Sequence, residues 1–233
     1  MIGITELGDP VFDIEWMSWV SLCKPAILIT KNPEILHLML QRMIITNVIV
    51  HCTITGYGGT KLEPGVPVVR DAVVGMGDIA KLIGWDRIVL RVDPIIPYDI
   101  GILPFNVKSE IITRYGQEVW DKLRKRISFL DAYNHVKDRF KAAGIPLPPY
   151  EFHAPIERRM AIWEKLGKPE VCGEPDMPCN GCLSQVDMDI LGVKVDGSSK
   201  SKQRTACMCL DEKRQLIGYG SECGHGCLYC YRK

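Results

Sequence analysis

The stretch Asn47-Val-Ile-Val-His-Cys-Thr-Ile54 decides the fold class of this chain. It is rich in apolar, β-branched residues and has the length of one buried strand. Runs of the same kind precede and follow it, at Ala26-Ile-Leu-Ile-Thr30 and Arg87-Ile-Val-Leu-Arg-Val92. Residues 33–43 and 67–83, which separate the three runs, have helical spacing. Strands that alternate with helices in this way predict a parallel sheet.

The alternation extends in both directions from this central part. The further predicted elements are a strand at 1–5, a helix at 11–22, a helix at 107–124, a strand at 127–130, and helices at 132–143 and 156–166. Repeated strand–helix units favour a barrel over a short open sheet. We therefore predict an α/β protein in which residues 1–168 form a partial or full parallel (β/α) barrel. Ligands of such folds bind at the carboxyl ends of the strands.

The bulk composition excludes several classes of protein. The chain has 233 residues, 24% of them charged, and a formal net charge of +1, so no global field attracts nucleic acid or a membrane. No run approaches the roughly 18 apolar residues of a spanning helix, and Met1–Glu6 lacks the basic start of a signal peptide. We expect a cytoplasmic protein without a membrane partner. The basic stretch Lys122–Arg126 is predicted to close a helix, and a local nucleic-acid contact is its alternative role.

Eight of the ten cysteines lie beyond residue 171, where helical periodicity fades. Without an export signal, clustered cysteines indicate a metal site more than a disulfide framework. We predict that residues 169–233 form a Cys-rich, metal-binding cap packed on the barrel mouth, with Gly197–Lys202 as a flexible loop. Cys23 and Cys52 lie in or beside apolar runs and are predicted to be small core residues.

The chain ends in Cys223-Gly-His-Gly-Cys227-Leu-Tyr-Cys230, followed by Tyr231. Three thiolates at this spacing can hold three irons of a cubane cluster on one loop, which leaves the fourth iron open to a small molecule. Gly224 and Gly226 allow the loop to wrap closely. His225 either hydrogen-bonds to a cluster sulfide or faces solvent. A zinc knuckle or a purely structural cluster is the alternative use of the three thiols.

This triplet, with Tyr229 before its last cysteine, resembles the signature of radical S-adenosylmethionine (SAM) enzymes. Further segments resemble a family of radical-SAM-like barrel proteins that also carry the triplet at the C-terminus and are distantly similar to spore photoproduct lyase. These segments are Thr30-Lys-Asn-Pro33, Thr55-Gly-Tyr-Gly58, Leu62-Glu-Pro64, Arg91-Val-Asp-Pro-Ile95, Ser128-Phe-Leu-Asp131, Cys172-Gly-Glu174, Gln203-Arg204 and Cys207-Met-Cys209. The chain departs from that family at Ile4-Thr-Glu-Leu-Gly-Asp9, where an Arg-rich Ser-x-Arg-Arg-Thr-Asp stretch is usual.

The resemblance implies an enzyme whose catalytic residues and substrate it does not define. It implies that Cys223, Cys227 and Cys230 hold a 4Fe-4S cluster, and that SAM is cleaved there to a 5′-deoxyadenosyl radical. Such an enzyme needs an electron donor, for example flavodoxin or ferredoxin. The distant similarity to spore photoproduct lyase points to a nucleotide or nucleic acid as the substrate.

A second group of cysteines lies between the barrel and the triplet. Four thiolates fill either a zinc site or a second iron–sulfur cluster, and the spacing alone leaves both open, as well as the absence of a second metal. The resemblance implies Cys172, Cys182, Cys207 and Cys209 as the ligands. Cys179 is then spare, although Cys179-x2-Cys182 also has the form of half a zinc site.

Polar residues follow the predicted strands where a ligand of a barrel is expected. Lys31, Thr55, Gly56, Arg91 and Asp93 are the candidate contacts for SAM, because guanidinium and ammonium groups suit its carboxylate and a glycine permits close backbone approach. Tyr229 is expected beside the adenine. The alternative is an internal ion pair of Asp93 with Arg91 or Lys31 that holds the barrel mouth. His51 is predicted to be a hydrogen-bonded interior residue and not a ligand.

A second function, of another class, fits the same cysteines. The chain could be a non-catalytic zinc or iron–sulfur protein whose metal only holds the tail, for instance a nucleic-acid-binding module. Metal content and SAM cleavage distinguish the two functions.

Overall fold

A single seven-stranded sheet organises the protein, and every neighbouring pair of its strands is parallel. The computed structural model describes residues 1–98, 103–194, 206–210, 213–218 and 222–232. The strands are β1 (Ile2–Ile4), β2 (Ala26–Thr30), β3 (Val48–Thr53), β4 (Ile88–Ile95), β5 (Arg124–Phe129), β6 (Glu170–Val171) and β7 (Lys213–Gln215). The helices are α1 (Glu15–Ser21), α2 (Pro33–Leu40), α3 (Val69–Ile83), α4 (Leu103–Tyr115), α5 (Gln117–Lys122), α6 (Asn134–Ala142), α7 (Ile156–Lys165) and α8 (Gln185–Ile190).

The strand order is β6-β5-β4-β3-β2-β1-β7, so the first six strands lie in chain order as in a (β/α) barrel. The sheet curls into a half-barrel, with β6 and β7 at its edges over the described residues. The α/β class and the partial form of the predicted barrel are therefore confirmed. No helix within the described ranges is both long and apolar enough to cross a membrane.

The two faces of the sheet bury different sets of side chains, because successive strand residues point to opposite faces. Ala26 and Leu28 of β2 pack in the larger core, which includes residues of helices α1 to α5 and α7. Ile27, on the other face, packs with strand residues of β1, β3 and β4 and with Met188 of α8. A fully buried Leu or Ile side chain such as Leu28 or Ile27 contributes about 1.5–3 kcal/mol. The inner face is thus apolar at the α8 end and leaves its opposite end for polar residues.

Most predicted elements are found, and the differences have local causes. The predicted helix at 107–124 is two helices, α4 and α5, because Gly116 takes a φ of +90° between them. The basic stretch does not close a helix throughout: Lys122 ends α5, whereas Arg124–Arg126 begin β5. Arg126 is buried, with its guanidinium bonded to Glu170 at 2.5 and 2.8 Å. Asn32 caps α2, and its Oδ1 accepts from the Ile35 amide at 3.2 Å.

The tail is part of the sheet, which the sequence did not indicate. β6 pairs with β5 and β7 pairs with β1, so residues beyond 168 supply both edge strands. The boundary at 168 and the cap remain predictions, and the predicted loop Gly197–Lys202 and Gln203-Arg204 lie outside the described residues. Cys52 is a core residue, as predicted, but Cys23 is exposed. Cys23 has a φ of +56° just after α1, a conformation that ends helices.

Candidate functional site

A cavity of about 490 Å³ opens at the carboxyl ends of strands β1 to β5. This volume lies within the range of about 300–1,000 Å³ typical of small-molecule sites. Its lining includes the predicted site residues Lys31, Arg91, Asp93 and Tyr229. Thr53, at the end of β3, lines the cavity. Thr55 and Gly56, which follow it in the chain, do not. Both predicted cysteine groups line this cavity: Cys172, Cys182, Cys207, Cys209, Cys223, Cys227 and Cys230.

The terminal triplet lies on a loop that other loops hold by their backbones. Leu228 N donates to Leu62 O at 3.0 Å, and Gly65 N donates to His225 O at 3.0 Å. A methyl group on Gly65 would stand 2.6 Å from the carbonyl oxygen of Gly224, so only glycine permits this approach. Cys223 is exposed, whereas Cys227 and Cys230 are half-buried. Burial raises the pKa of Cys227 to about 12.

His225, inside the triplet, is buried and fixed by two oxygen acceptors. Its Nε2 lies 2.7 Å from Asp9 Oδ2, and its Nδ1 lies 3.0 Å from Gly65 O. The solvent-facing alternative is therefore wrong, because Asp9, Gly65 and the Phe12 ring enclose the imidazole. Asp9 also accepts from the Lys31 amide at 2.6 Å. Sequence reasoning missed Asp9, since Asp9-Pro10 has the form of an ordinary helix start.

Lys31 and Tyr229 meet at a buried carboxylate. Lys31 Nζ lies 2.7 Å from Glu63 Oε1 and 2.9 Å from the Tyr229 hydroxyl, which also donates to Glu63. Thr55 Oγ1 donates to Glu63 Oε2 at 2.5 Å. Burial is the largest influence on Lys31 and opposes its charge, but Glu63, Cys227 and Asp93 together outweigh it and raise the pKa of the ammonium. Glu63 thus bonds to Lys31, Thr55 and Tyr229. The sequence indicated Glu63 only as part of the segment Leu62-Glu-Pro64.

Arg91 and Asp93 form the internal ion pair that the sequence allowed as an alternative. Arg91 Nη2 donates to Asp93 Oδ2, and Ser128 Oγ donates to Asp93 Oδ1. Burial opposes ionisation of Asp93, but Arg91 and Ser128 lower its pKa. Burial lowers the pKa of Arg91, but the negative charges of Cys182 and Asp93 act in the opposite direction, and the net pKa is raised. Its buried Nε has no hydrogen-bond partner among the described residues.

Three thiols of the second cysteine group are in contact. Cys172 Sγ lies 2.9 Å from Cys182 Sγ, and the Cys182 amide donates to Cys209 Sγ at 3.0 Å. Hydrogen bonds from the Cys172 and Cys209 thiols hold the pKa of Cys182 well below its ordinary value, although burial acts against this. Cys207 is half-buried at the cavity. Cys179 is turned away, and its thiol donates to Glu174 O at 2.9 Å.

His51 lies on β3 behind this thiol group and is completely buried. The prediction of an interior residue holds, but the prediction of satisfied hydrogen bonds is wrong. Neither ring nitrogen has a partner among the described residues. Burial, with the Arg126 charge nearby, holds the pKa of His51 well below its ordinary value, so the imidazole is neutral.

The fit to a metal depends on donor chemistry more than on the present positions of the donors. Within the part of the chain that the structure describes, no three His, Cys, Asp or Glu side chains stand ready to hold a metal ion. The donors at the cavity are thiols, which suit iron–sulfur clusters and zinc. The triplet thiols are close enough to interact electrostatically, since Cys223 and Cys230 both raise the pKa of Cys227. The donor set and the cavity therefore fit a thiolate-bound metal centre.

Comparison with protein-family models places the chain in a family defined by sequence. A search of curated proteins finds no match to this chain. The family model described as "Domain of unknown function (DUF1848)" matches residues 15–232, which include every strand after β1 and all the cysteines discussed above. The chain belongs to the DUF1848 family.

Proposed function

We propose that the protein is a radical SAM enzyme, with a half-barrel of radical-SAM type closed by its Cys-rich tail. A site-differentiated 4Fe-4S cluster would be held by Cys223, Cys227 and Cys230. One observation carries the proposal: the three thiols lie on the wall of a ligand-sized cavity at the carboxyl ends of parallel strands. That is where an open iron would meet a small molecule and not only the protein. The family match assigns no activity.

When bound, the cluster would supply the electron that cleaves SAM to a 5′-deoxyadenosyl radical, which then abstracts hydrogen from a substrate. The chain's own residues would bind and orient SAM. Arg91 and Lys31 carry positive charge at the cavity wall and would attract the SAM carboxylate, while Asp93 would attract its amino group. Tyr229, at the same wall, would lie beside the adenine.

Existing contacts bear on how these residues would act. Lys31 and Arg91 already pair with Glu63 and Asp93, so a bound carboxylate would compete for cations that are held in place. Such pairing keeps the long side chains ordered before binding, which lowers the entropy lost on association. The exposed Cys223 leaves one side of the triplet accessible to an electron donor such as flavodoxin or ferredoxin.

The substrate is a separate question, for which a nucleotide or nucleic acid is the candidate. The basic residues of the predicted nucleic-acid stretch lend it little support. Arg126 is buried, and Arg124 bonds to Asp187 at 2.6 Å. A small nucleotide that enters the cavity suits the net charge of +1 better than a long polyanion does.

The proposal is tested by anaerobic reconstitution with iron and sulfide, followed by dithionite and SAM. We expect a brown protein that releases 5′-deoxyadenosine. Cys227→Ala should abolish the release while the fold survives, because a core of this size does not depend on one cluster. Cys23→Ala, at an exposed cysteine outside the cavity lining, is the matched control and should leave the release unchanged. A reconstituted cluster that never cleaves SAM would contradict the proposal.

A non-catalytic metal protein is the second candidate, and one observation favours it. The tail supplies β6 and β7, so a metal that joins tail segments would stabilise both edges of the sheet. Zinc alone, bound stoichiometrically in protein purified without oxygen, together with no SAM cleavage, would support this function. Salt-dependent binding of DNA or RNA would extend it to a nucleic-acid-binding module.

A further inference from the structure

The second thiol group joins three separate parts of the tail. Cys172 directly follows β6, Cys182 lies just before α8, and Cys209 precedes β7. Their contacts run through Cys182, whose sulfur is 2.9 Å from Cys172 Sγ and whose amide donates to Cys209 Sγ. Segments this far apart in sequence bring three thiols together only through the tertiary fold. Ordering these segments costs conformational entropy, which an interaction made by the assembled thiols would have to offset.

Two buried guanidinium groups, each also paired with a carboxylate, lie near these sulfurs. Arg126 Nη1 donates to the Cys182 carbonyl at 2.9 Å, and its guanidinium is almost fully buried. Arg91, 9% exposed, is close enough to Cys182 and Cys172 for both sulfurs to favour its charge. Buried cations of this kind suit a group that carries net negative charge, as a metal bound by several thiolates does.

Two buried polar groups lie near the thiols. Both ring nitrogens of His51 and the Nε of Arg91 lack hydrogen-bond partners among the described residues. His51 is 0% exposed, and Cys182 is one of the charges that act on it. Buried unpaired groups are rare in proteins, and a bound ion is one of their recognised causes. The charge of Cys182 acts on both of these groups.

We propose that Cys172, Cys182 and Cys209 form a second site for a thiophilic metal centre, zinc or iron–sulfur, that is separate from the terminal triplet. Cys207, on the same cavity, is placed to complete it. Two thiolates on one zinc lie roughly 3.8 Å apart, given Zn–S bonds of about 2.3 Å in a tetrahedron. The 2.9 Å contact would therefore have to lengthen by roughly 1 Å for both thiolates to bind one zinc ion. This site does not depend on the proposed radical chemistry.

The test uses the full-length protein in which Cys223, Cys227 and Cys230 are all replaced by Ala, purified without oxygen. This variant should retain about one metal centre per chain, as zinc or as iron with sulfide, and elemental analysis distinguishes the two. Adding Cys182→Ser should lower the bound metal roughly tenfold or more. Adding Cys179→Ser instead should leave it unchanged, because that thiol is turned toward Glu174. SAM cleavage plays no part, so failure here is distinct from failure of the proposed function.

Folding and direct ligation are checked separately. Circular dichroism must show that each variant is folded; if Cys182→Ser is not, Cys209→Ser replaces it. Titration with cobalt(II) should give sulfur-to-metal charge-transfer absorption in the triple Ala variant and in its Cys179→Ser derivative only. A triple Ala variant that binds neither zinc, iron nor cobalt overturns the proposal. So does a folded Cys182→Ser or Cys209→Ser protein that keeps its metal.

Discussion

The two cysteine groups share one cavity but are held by different kinds of structure. The triplet Cys223, Cys227 and Cys230 lies on a single short loop, whose position depends on Asp9, Gly65 and His225. The thiols of Cys172, Cys182 and Cys209 come from separate segments, and Cys182 lies beside two buried arginines of the sheet. Damage to the second group should therefore lower global stability. Damage to the triplet's supports should mainly affect the loop.

Arg126→Leu should have the largest effect. It removes a buried guanidinium that serves Glu170, Asp187 and the Cys182 carbonyl, and leaves Asp187 buried with less compensation. Breaking a buried pair from one side costs about 3–5 kcal/mol. Urea denaturation should show this loss with an unchanged slope. If Arg126→Leu lost less stability than Asp9→Asn or Gly65→Ala, the two cysteine groups would not differ in their effect on global stability.

Asp9→Asn should cost roughly 2 kcal/mol, as expected for hydrogen bonds to a charged group. The amide nitrogen of Asn cannot accept a hydrogen bond. If it replaces Oδ1, the bond from Thr30 is lost; if it replaces Oδ2, the bonds with the Lys31 amide and His225 are lost. Hydrogen exchange should rise most in a peptide that covers 222–232. Asp13→Asn, at an exposed turn, is the control. Equal exchange across the whole sheet would contradict a local role for Asp9.

Gly65→Ala should cost about 1–2 kcal/mol, at the lower end of overpacking effects, because the loop can shift. Its new methyl group would meet the backbone of Gly224 and His225 and push the triplet outward. The cluster content after reconstitution should fall clearly, whereas the melting temperature should change little. Gly218→Ala is a matched control in the tail, since no described residue lies within 4 Å of its added carbon. A fully loaded Gly65→Ala protein would show that the close approach is unnecessary.

Arg139→Ala should have the smallest effect, about 1 kcal/mol. Arg139 of α6 donates to Cys230 O at 2.7 Å and Arg232 O at 2.8 Å, so it holds the end of the triplet loop. Proteolysis of the C-terminal residues should accelerate before the melting temperature changes. Lys141→Ala, exposed on the same helix, should change neither. An effect of Lys141→Ala equal to that of Arg139→Ala would assign the change to α6 and not to the loop.

The fold was more predictable than the site, for reasons visible in particular residues. Ala26–Thr30 and the start of α2 at Pro33 were located because burial on both faces and an Asn cap leave clear local patterns. β6 and β7 have two and three residues and gave no pattern at all. Four of the six predicted SAM contacts line the cavity, whereas Thr55 and Gly56 do not.

What the sequence by itself determined is the alternation of strands and helices, and with it the parallel sheet whose carboxyl ends carry the cavity. It also determined that thiols crowd into the tail. Only the tertiary structure decided that Asp9 and Gly65 hold His225, that Glu63 joins Lys31 to Tyr229, and that Cys172, Cys182 and Cys209 touch. The reason is that periodicity reports which face a residue buries, whereas contacts between distant segments depend on how the sheet curls and where each loop returns.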